Sequence, residues 1–499
     1  MSRSAVKAAR LVAGALAVTL TASCYVPVEE RSDELRVDLG EDGFLLSWDP
    51  DGPDGTTYEV QRYGAGPAAP HAWIVVGTTT AAAMTDEDVT DGDTYAYRVR
   101  STPPGSTPVQ DWRTTGRHTF VRPVLPVIRI DTQARAAVLD KDTYVPGTLT
   151  LDPNGSDDAA YSGAAQFKVR GNSTAVADKK PYKIKLDKKA PILGMESEKD
   201  WVLLANWYDR SNLRNHAAFA FGQATDLPWT PHDRFVEVVL NGEYRGIYQL
   251  TEQVEVSGAR VDIDEMEPAD TAGDALTGGY LLEVDDRLEA NAEPGFRTSR
   301  NLPVVIKDPD PAEVPQAHYV RDVIQDFEDR LWSPQSSDPV AGFRAVLDTG
   351  SFVDWYLVQE LVRNQDVAYS STYLTKPRGG PLQFGPLWDF DISIGATTVA
   401  EQQPWTGWKV RVVGPWYPKL LQDPALAAEV SERWAELRGS FLDIARGLPT
   451  TGGAISGAVT NDRARWGEPP EPGSETPEYL QTWLEQRIAW LDSQLLPST

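Results

Sequence analysis

Three aspartates in the second half of the chain, Asp366, Asp389 and Asp391, have the residue type and surroundings that chemistry on phosphate requires. Asp366 closes Asn364-Gln365-Asp366 at the end of a helical run over 352–363, where the helix dipole favours cations, so function explains it better than capping does. In Trp388-Asp389-Phe390-Asp391, strand alternation sends both acids to one side and both aromatics to the other. Two carboxylates on one face repel unless a cation joins them. The alternative for each acid is a loop carboxylate bonded to backbone amides. Cations stand earlier in the chain. In Tyr182-Lys183-Ile184-Lys185-Leu186 the same alternation places Lys183 and Lys185 on one face and the apolar residues on the other. Upstream, Lys168-Val169-Arg170-Gly171-Asn172-Ser173 leads a strand into a small-residue turn, where Arg170 and backbone amides could meet an anion. The alternative is that Lys179, Lys180, Lys183, Lys185, Lys188 and Lys189 form a solvated basic face. Phosphoryl transfer needs cations on a polyanion, an Asp on a divalent metal and a carboxylate near the accepting hydroxyl, and each has a candidate here.

Other chemistries lose support. Five scattered histidines include no H-E-x-x-H, one cysteine supplies no zinc cluster, and neither G-x-S-x-G nor the P-loop pattern occurs. Asp152-x-Asn154-x-Ser156 begins like a calcium loop but lacks its glycine and reads as a solvated turn. With 73 acidic against 47 basic side chains, a net charge of −26, long-range attraction to nucleic acid or anionic lipid is disfavoured. A local basic cluster with a divalent cation still accommodates a triphosphate.

The elements that must position these residues fall into two textures. Over 37–122, short alternating segments separated by turn-rich pieces read as an all-β sandwich. Phe44-Leu45-Leu46-Ser47-Trp48, Tyr58-Glu59-Val60-Gln61-Arg62 and Thr94-Tyr95-Ala96-Tyr97-Arg98-Val99, with Trp48 as core residue and Tyr95 at a tyrosine corner, resemble a fibronectin type III domain. From 123 to 496, strands dominate first (167–170, 182–186, 235–240 and 244–250, the last two joined at Asn241-Gly242) and helical periodicity follows (213–223, 319–331, 352–363, 425–442 and 479–495). A β-rich part followed by a helical part predicts an α+β domain of two lobes around a cleft.

The N-terminus predicts export. Arg3, Lys7 and Arg10 precede an apolar stretch over 11–22 and the only cysteine, Cys24. Residues 1–23 read as a lipoprotein-type signal, with Leu20-Thr21-Ala22-Ser23-Cys24 resembling a lipobox, and 24–36 as a polar tether. The chain is expected on the extracellular face of the cell membrane, lipid-anchored at Cys24, with membrane contact only through that anchor; the alternative is an ordinary cleaved signal and an incidental cysteine.

An ordered set of segments carries a family resemblance: Arg170-Gly171-Asn172-Ser173, Lys180-Pro181-Tyr182-Lys183-Ile184-Lys185-Leu186, Asp200-Trp201-Val202-Leu203-Leu204-Ala205-Asn206, Leu213-Arg214-Asn215, Asn241-Gly242-Glu243-Tyr244-Arg245-Gly246-Ile247-Tyr248, Leu250-Thr251-Glu252-Gln253, Gly278-Gly279-Tyr280-Leu281-Leu282-Glu283, Asn364-Gln365-Asp366 and Trp388-Asp389-Phe390-Asp391. In that order they resemble the CotH (spore-coat protein H) family of atypical kinases. The resemblance implies a divergent protein-kinase fold and ATP-dependent phosphorylation of Ser or Thr hydroxyls on exported or envelope proteins, with Mg²⁺ or Mn²⁺. It also implies Asp366 as the catalytic-loop acid and Asp389 as a metal-binding acid, with Asp391 beside it. Lys185, or alternatively Lys183, corresponds to the phosphate-gripping strand lysine, and Glu252 and Glu283 are candidates for its ion-pair partner or for nucleotide contacts. Two features depart from conventional kinases: Ser371 stands where they carry a metal-binding Asn, and no glycine-rich loop precedes the strand lysine. A catalytically silent surface scaffold, nucleotidyl transfer and glycan phosphorylation remain the competing readings.

Overall fold

The computed structural model describes residues 35–40, 42–64, 72–109, 111–396, 404–467 and 476–496. The signal, Cys24 and most of the tether lie outside the described residues. The chain divides into two compact units, one holding Leu46–Met84 and Tyr95–Arg117, the other Val37–Leu45, Thr85–Thr94 and everything from His118 onward.

Strands β1 (Leu35–Leu39), β2 (Phe44–Trp48), β3 (Thr57–Gly64), β4 (Trp73–Thr79), β5 (Ala83–Asp86), β6 (Thr94–Thr102) and β7 (Arg113–Thr119) make two sheets, ordered β1-β2-β5 and β4-β3-β6-β7. Alternation sets them up: along β3 every second residue is buried, from Tyr58 to Gly64, and Trp48 packs on Tyr58 with ring centroids 5.4 Å apart.

From His118 onward the second unit first builds a closed seven-stranded barrel. Its strands are β8 (Val127–Thr132), β9 (Val145–Asp152), β10 (Tyr161–Val169), β11 (Tyr182–Ala190), β12 (Glu198–Leu204), β13 (Asp233–Leu240) and β14 (Glu243–Glu252), in the order β10-β11-β12-β14-β13-β8-β9. All neighbours run antiparallel except β13 and β8. Asn241 and Gly242, both at positive φ (51° and 80°), make the tight turn between β13 and β14. Alternate residues, among them Ile128, Phe167, Ile184, Trp201, Val238 and Leu250, fill a core of the barrel's own. The sequence reading foresees strands here but not their closure. Each is amphipathic on its own, and only the register of all seven decides whether the apolar face becomes a layer or a lumen.

Helix α1 (Arg214–Gln223) interrupts the barrel strands in the chain. A five-stranded sheet follows, ordered β16-β17-β15-β18-β19, from β15 (Tyr280–Val284), β16 (Gly295–Arg297), β17 (Pro303–Asp308), β18 (Thr372–Lys376) and β19 (Gln383–Phe384). With it come α2 (Val314–Trp332), α3 (Thr349–Val362), α4 (Trp416–Leu420), α5 (Pro424–Trp466) and α6 (Pro477–Leu495). Asp348 caps α3 by accepting from the Ser351 amide, and the residues from Ser351 to Val362 are all buried, so α3 is the spine of the larger core. The apolar pattern predicts α5 only to residue 442, yet the helix runs on through Pro449 and Gly452 to Trp466. Tertiary contacts override propensity there: buried Asp462 pairs with buried Lys179 at 2.7 Å, Asn461 Nδ2 donates to Glu237, and Gly452 lies against Pro477.

Candidate active site

A cavity of about 640 Å³ in the second unit brings together elements far apart in sequence. Asp366, Asp389, Asp391, Arg170, Lys183 and Glu283 all line it. Lys185 and Glu252 do not: Lys185 is exposed, and Glu252 is buried, with Oε2 accepting from the His232 amide at 2.8 Å. Of the two strand lysines, the cavity therefore receives Lys183, whose Nζ is 3.0 Å from Asp200. Cys24 lies outside the described residues.

Asp366 follows α3 directly. The helix stops at Arg363 in the left-handed conformation, and Asn364 then links the two acid loops: its Oδ1 accepts from the Asp366 amide at 3.1 Å, and its Nδ2 donates to the Asp389 carbonyl at 3.3 Å. The Asp366 carboxyl is pushed up to about 6, first by burial and then by Asp389, while Arg287 and Lys409 pull the other way. The 388–391 segment, expected as a strand, is a loop, and Asp389 sits at φ 67°. No ladder neighbour satisfies its backbone; instead the Phe390 amide donates to Asn215 Oδ1 at 2.7 Å and Asn364 holds the Asp389 carbonyl. The expected alternation holds only in part: Asp389 and Asp391 line the cavity and Phe390 is buried away from it, but Trp388, expected on the far side with Phe390, lines the cavity too. Burial, with Asp389, Asp209 and Asp366 nearby, drives the Asp391 carboxyl well above the ordinary range, and Arg214 opposes this. Arg214 is itself buried, donating through Nε to the Ser393 carbonyl at 2.8 Å and pairing with Asp209.

Cations line other parts of the wall. Arg170 lies over the Trp388 ring at 5.0 Å; burial draws its guanidinium below the ordinary value, and Tyr373, Asp389 and Glu283 act in the opposite direction. Lys168 and Lys141 also face the cavity, as does the turn from Gly171, at φ 83°, to Thr174. A residue the sequence reading overlooks is Lys307. Its Nζ is 3.4 Å from Glu283 and 3.3 Å from Glu293, which makes Lys307 the lysine that Glu283 pairs with. The only signal for it is a lone cation closing the apolar run Val304-Val305-Ile306. Burial pushes the Glu283 carboxyl up to about 7 against the pull of Lys307.

The donor set suits a divalent cation that arrives with its own oxygens. Asp366, Asp389 and Asp391 repel one another in a partly desolvated space, as Asp391 records. Yet among the described residues no group of three or more His, Cys, Asp or Glu forms a metal cage by itself. Magnesium is commonly held in this way, by one or two carboxylates together with phosphate oxygens and water.

The family model described as CotH kinase protein matches residues 167–491, more than half of the chain. No curated protein matches it. Among solved structures, the chain is similar to a twitchin kinase region from C. elegans (11% identity, TM-score 0.16, 38% of this chain and 44% of that one). It is also similar to titin kinase and its flanking domains (15% identity, TM-score 0.14, 38% of this chain and 43% of that one). The chain spans less than half the length of either, and likenesses this slight carry no argument about fold.

Proposed function

From the premise that this chain belongs to the CotH kinase protein family, we propose that it is an extracytoplasmic, membrane-tethered atypical kinase. It would transfer a phosphoryl group from ATP to Ser or Thr hydroxyls of exported or envelope proteins. The observation that carries the reading is the convergence of Asp366 and Asp389, joined through Asn364, on one cavity with Arg170 and Lys183.

In this reading Arg170 and Lys183 hold the triphosphate. Asp389 and Asp391 would hold Mg²⁺ or Mn²⁺, which supplies charge neutralisation at the phosphate oxygens. Asp366 orients the acceptor hydroxyl and takes its proton as the hydroxyl oxygen bonds to the γ-phosphorus; the bond from that phosphorus to the β,γ-bridging oxygen breaks, and ADP leaves. A carboxyl pushed up to about 6 is a stronger base than an ordinary aspartate and is still largely deprotonated at neutral pH. The residues at 37–122 fit a fibronectin type III-like spacer, and Cys24 a lipid anchor at the extracellular face.

The test is incubation of the purified protein with labelled ATP and Mg²⁺ or Mn²⁺, followed by mass spectrometry. A phosphate adduct on the protein or a substrate, absent in Asp389→Ala, supports the kinase. A nucleotide adduct would replace it with nucleotidyl transfer. No adduct, together with no metal-dependent nucleotide affinity by calorimetry, would leave a scaffold.

A further inference from the structure

Ser370 and Ser371, each 8% exposed, sit between the Asp366 loop and β18. Arg287 Nη1 donates to Ser370 Oγ at 3.1 Å, the two serine oxygens are 3.3 Å apart, and Ser371 Oγ donates to Asp389 Oδ2 at 3.2 Å. The protons can be assigned one by one. A carboxylate only accepts, so the single proton of Ser371 goes to Asp389. The bond between the serines must then use the proton of Ser370, whose oxygen is free to accept from the guanidinium. All donors therefore point the same way, from Arg287 through two hydroxyls to the carboxylate. A hydrogen-bond chain with a cation at its head is polarised along its length, which strengthens the last link.

The two ends of the chain are anchored. Arg287 Nη1 is 3.8 Å from Asp285, the Asp286 amide donates to the Tyr369 carbonyl at 2.7 Å, and Ser371 has a left-handed backbone at φ 54°. The 285–287 turn and the 369–371 segment are thus fastened to each other beside the acid they serve.

We propose that Arg287, Ser370 and Ser371 form a positioning relay that sets the orientation of the Asp389 carboxylate for the nucleotide-bound cation. The position that carries a metal-binding Asn in conventional kinases is here a hydroxyl that works through Asp389. The proposal rests on the kinase reading of the site, and the three residues are positioning residues.

The test uses the full chain in detergent, with Mn²⁺ and a non-hydrolysable ATP analogue, and reads bound Mn²⁺ by electron paramagnetic resonance. Loss of one hydrogen bond to a charged group predicts that Ser371→Ala weakens Mn²⁺ retention about tenfold. Ser371→Thr, which keeps the hydroxyl, restores it. Ser370→Ala and Arg287→Gln each weaken it less, and the Ser370→Ala/Arg287→Gln double variant is no weaker than either single one, because both cut the same chain. Thermal melting of each variant guards against misfolding, and Arg287, with a side chain 40% exposed, is the position least tied to the core. Unchanged Mn²⁺ retention in Ser371→Ala, or additive losses in the double variant, would overturn the relay. Absence of analogue-dependent Mn²⁺ binding in the wild type would instead overturn the kinase reading, and the relay with it.

Discussion

Asp366 and Glu283 show how the same cause, loss of water around a carboxyl, has different consequences according to what stands opposite. Asp366 faces other acids and the open cavity, whereas Glu283 faces Lys307. For Asp366 the expected outcome is a change in rate without a change in binding. Asp366→Asn should lower turnover by about 10²- to 10⁴-fold while calorimetry finds nucleotide affinity retained. A parallel loss of affinity would move Asp366 from the hydroxyl to the nucleotide. For Glu283 the outcome is a pH dependence of stability. Its folded value of about 7 lies above the ordinary 4.5, so the folded state holds the proton more tightly. Stability from this group is therefore full below about 4.5 and is lost as pH rises through about 7, on the order of 3 kcal/mol in all. Denaturant melts of wild type and Glu283→Gln between pH 4 and 8 should show the variant gaining relative to wild type across that window. Parallel curves would mean that Lys307 fully compensates the buried charge. Residue types and spacing singled out Asp366, Asp389, Asp391 and Arg170, which line one cavity, although a loop carboxylate bonded to backbone amides was an equally simple account of each acid. Lys307 was not legible, since one cation at the end of an apolar strand looks like any strand terminus until the sheet places it beside Glu283.

At the scale of elements, periodicity located the helices well and failed where packing outweighs propensity. Helix α5 shows this most clearly, because two adjacent glycines in it have opposite surroundings. A Cβ on Gly452 would lie 2.2 Å from Pro477 Cγ, whereas one on Gly453 meets nothing within 4 Å. Gly453→Ala should therefore stabilise the protein by about 0.5–1 kcal/mol through the helix propensity of alanine. Gly452→Ala should destabilise it despite the same gain, because a proline ring inside the core contact cannot swing aside. Thermal melts of the two variants decide the matter, and equal shifts in either direction would refute the packing explanation. The hairpin at Asn241-Gly242 was readable from two residues, because few others adopt positive φ there. The 388–391 loop was not, because its backbone partners Asn215 and Asn364 come from distant parts of the chain.

At the scale of the whole molecule, composition indicated an acidic, multidomain chain, and among the described residues no helix is long and apolar enough to cross a membrane. If Cys24 carries the anchor, Cys24→Ser should move the full-length protein from the detergent phase to the aqueous phase in a phase-partition assay. Unchanged partitioning would remove the lipid from the account. The alternation of short strands is visible in the sequence, but barrel closure is a property of seven registers together and no single segment contains it. That closure bears on how such a molecule tolerates crowding. A sheet rolled into a ring exposes no raw ladder of amides and carbonyls for a neighbour to extend, and the open five-stranded sheet ends in β16 and β19, which are only 3 and 2 residues long. Along the barrel and this sheet, copies packed shoulder to shoulder would find little template for zipping together by adding a strand, whereas the longer edges β4 and β7, 7 residues each, belong to the sheet β4-β3-β6-β7.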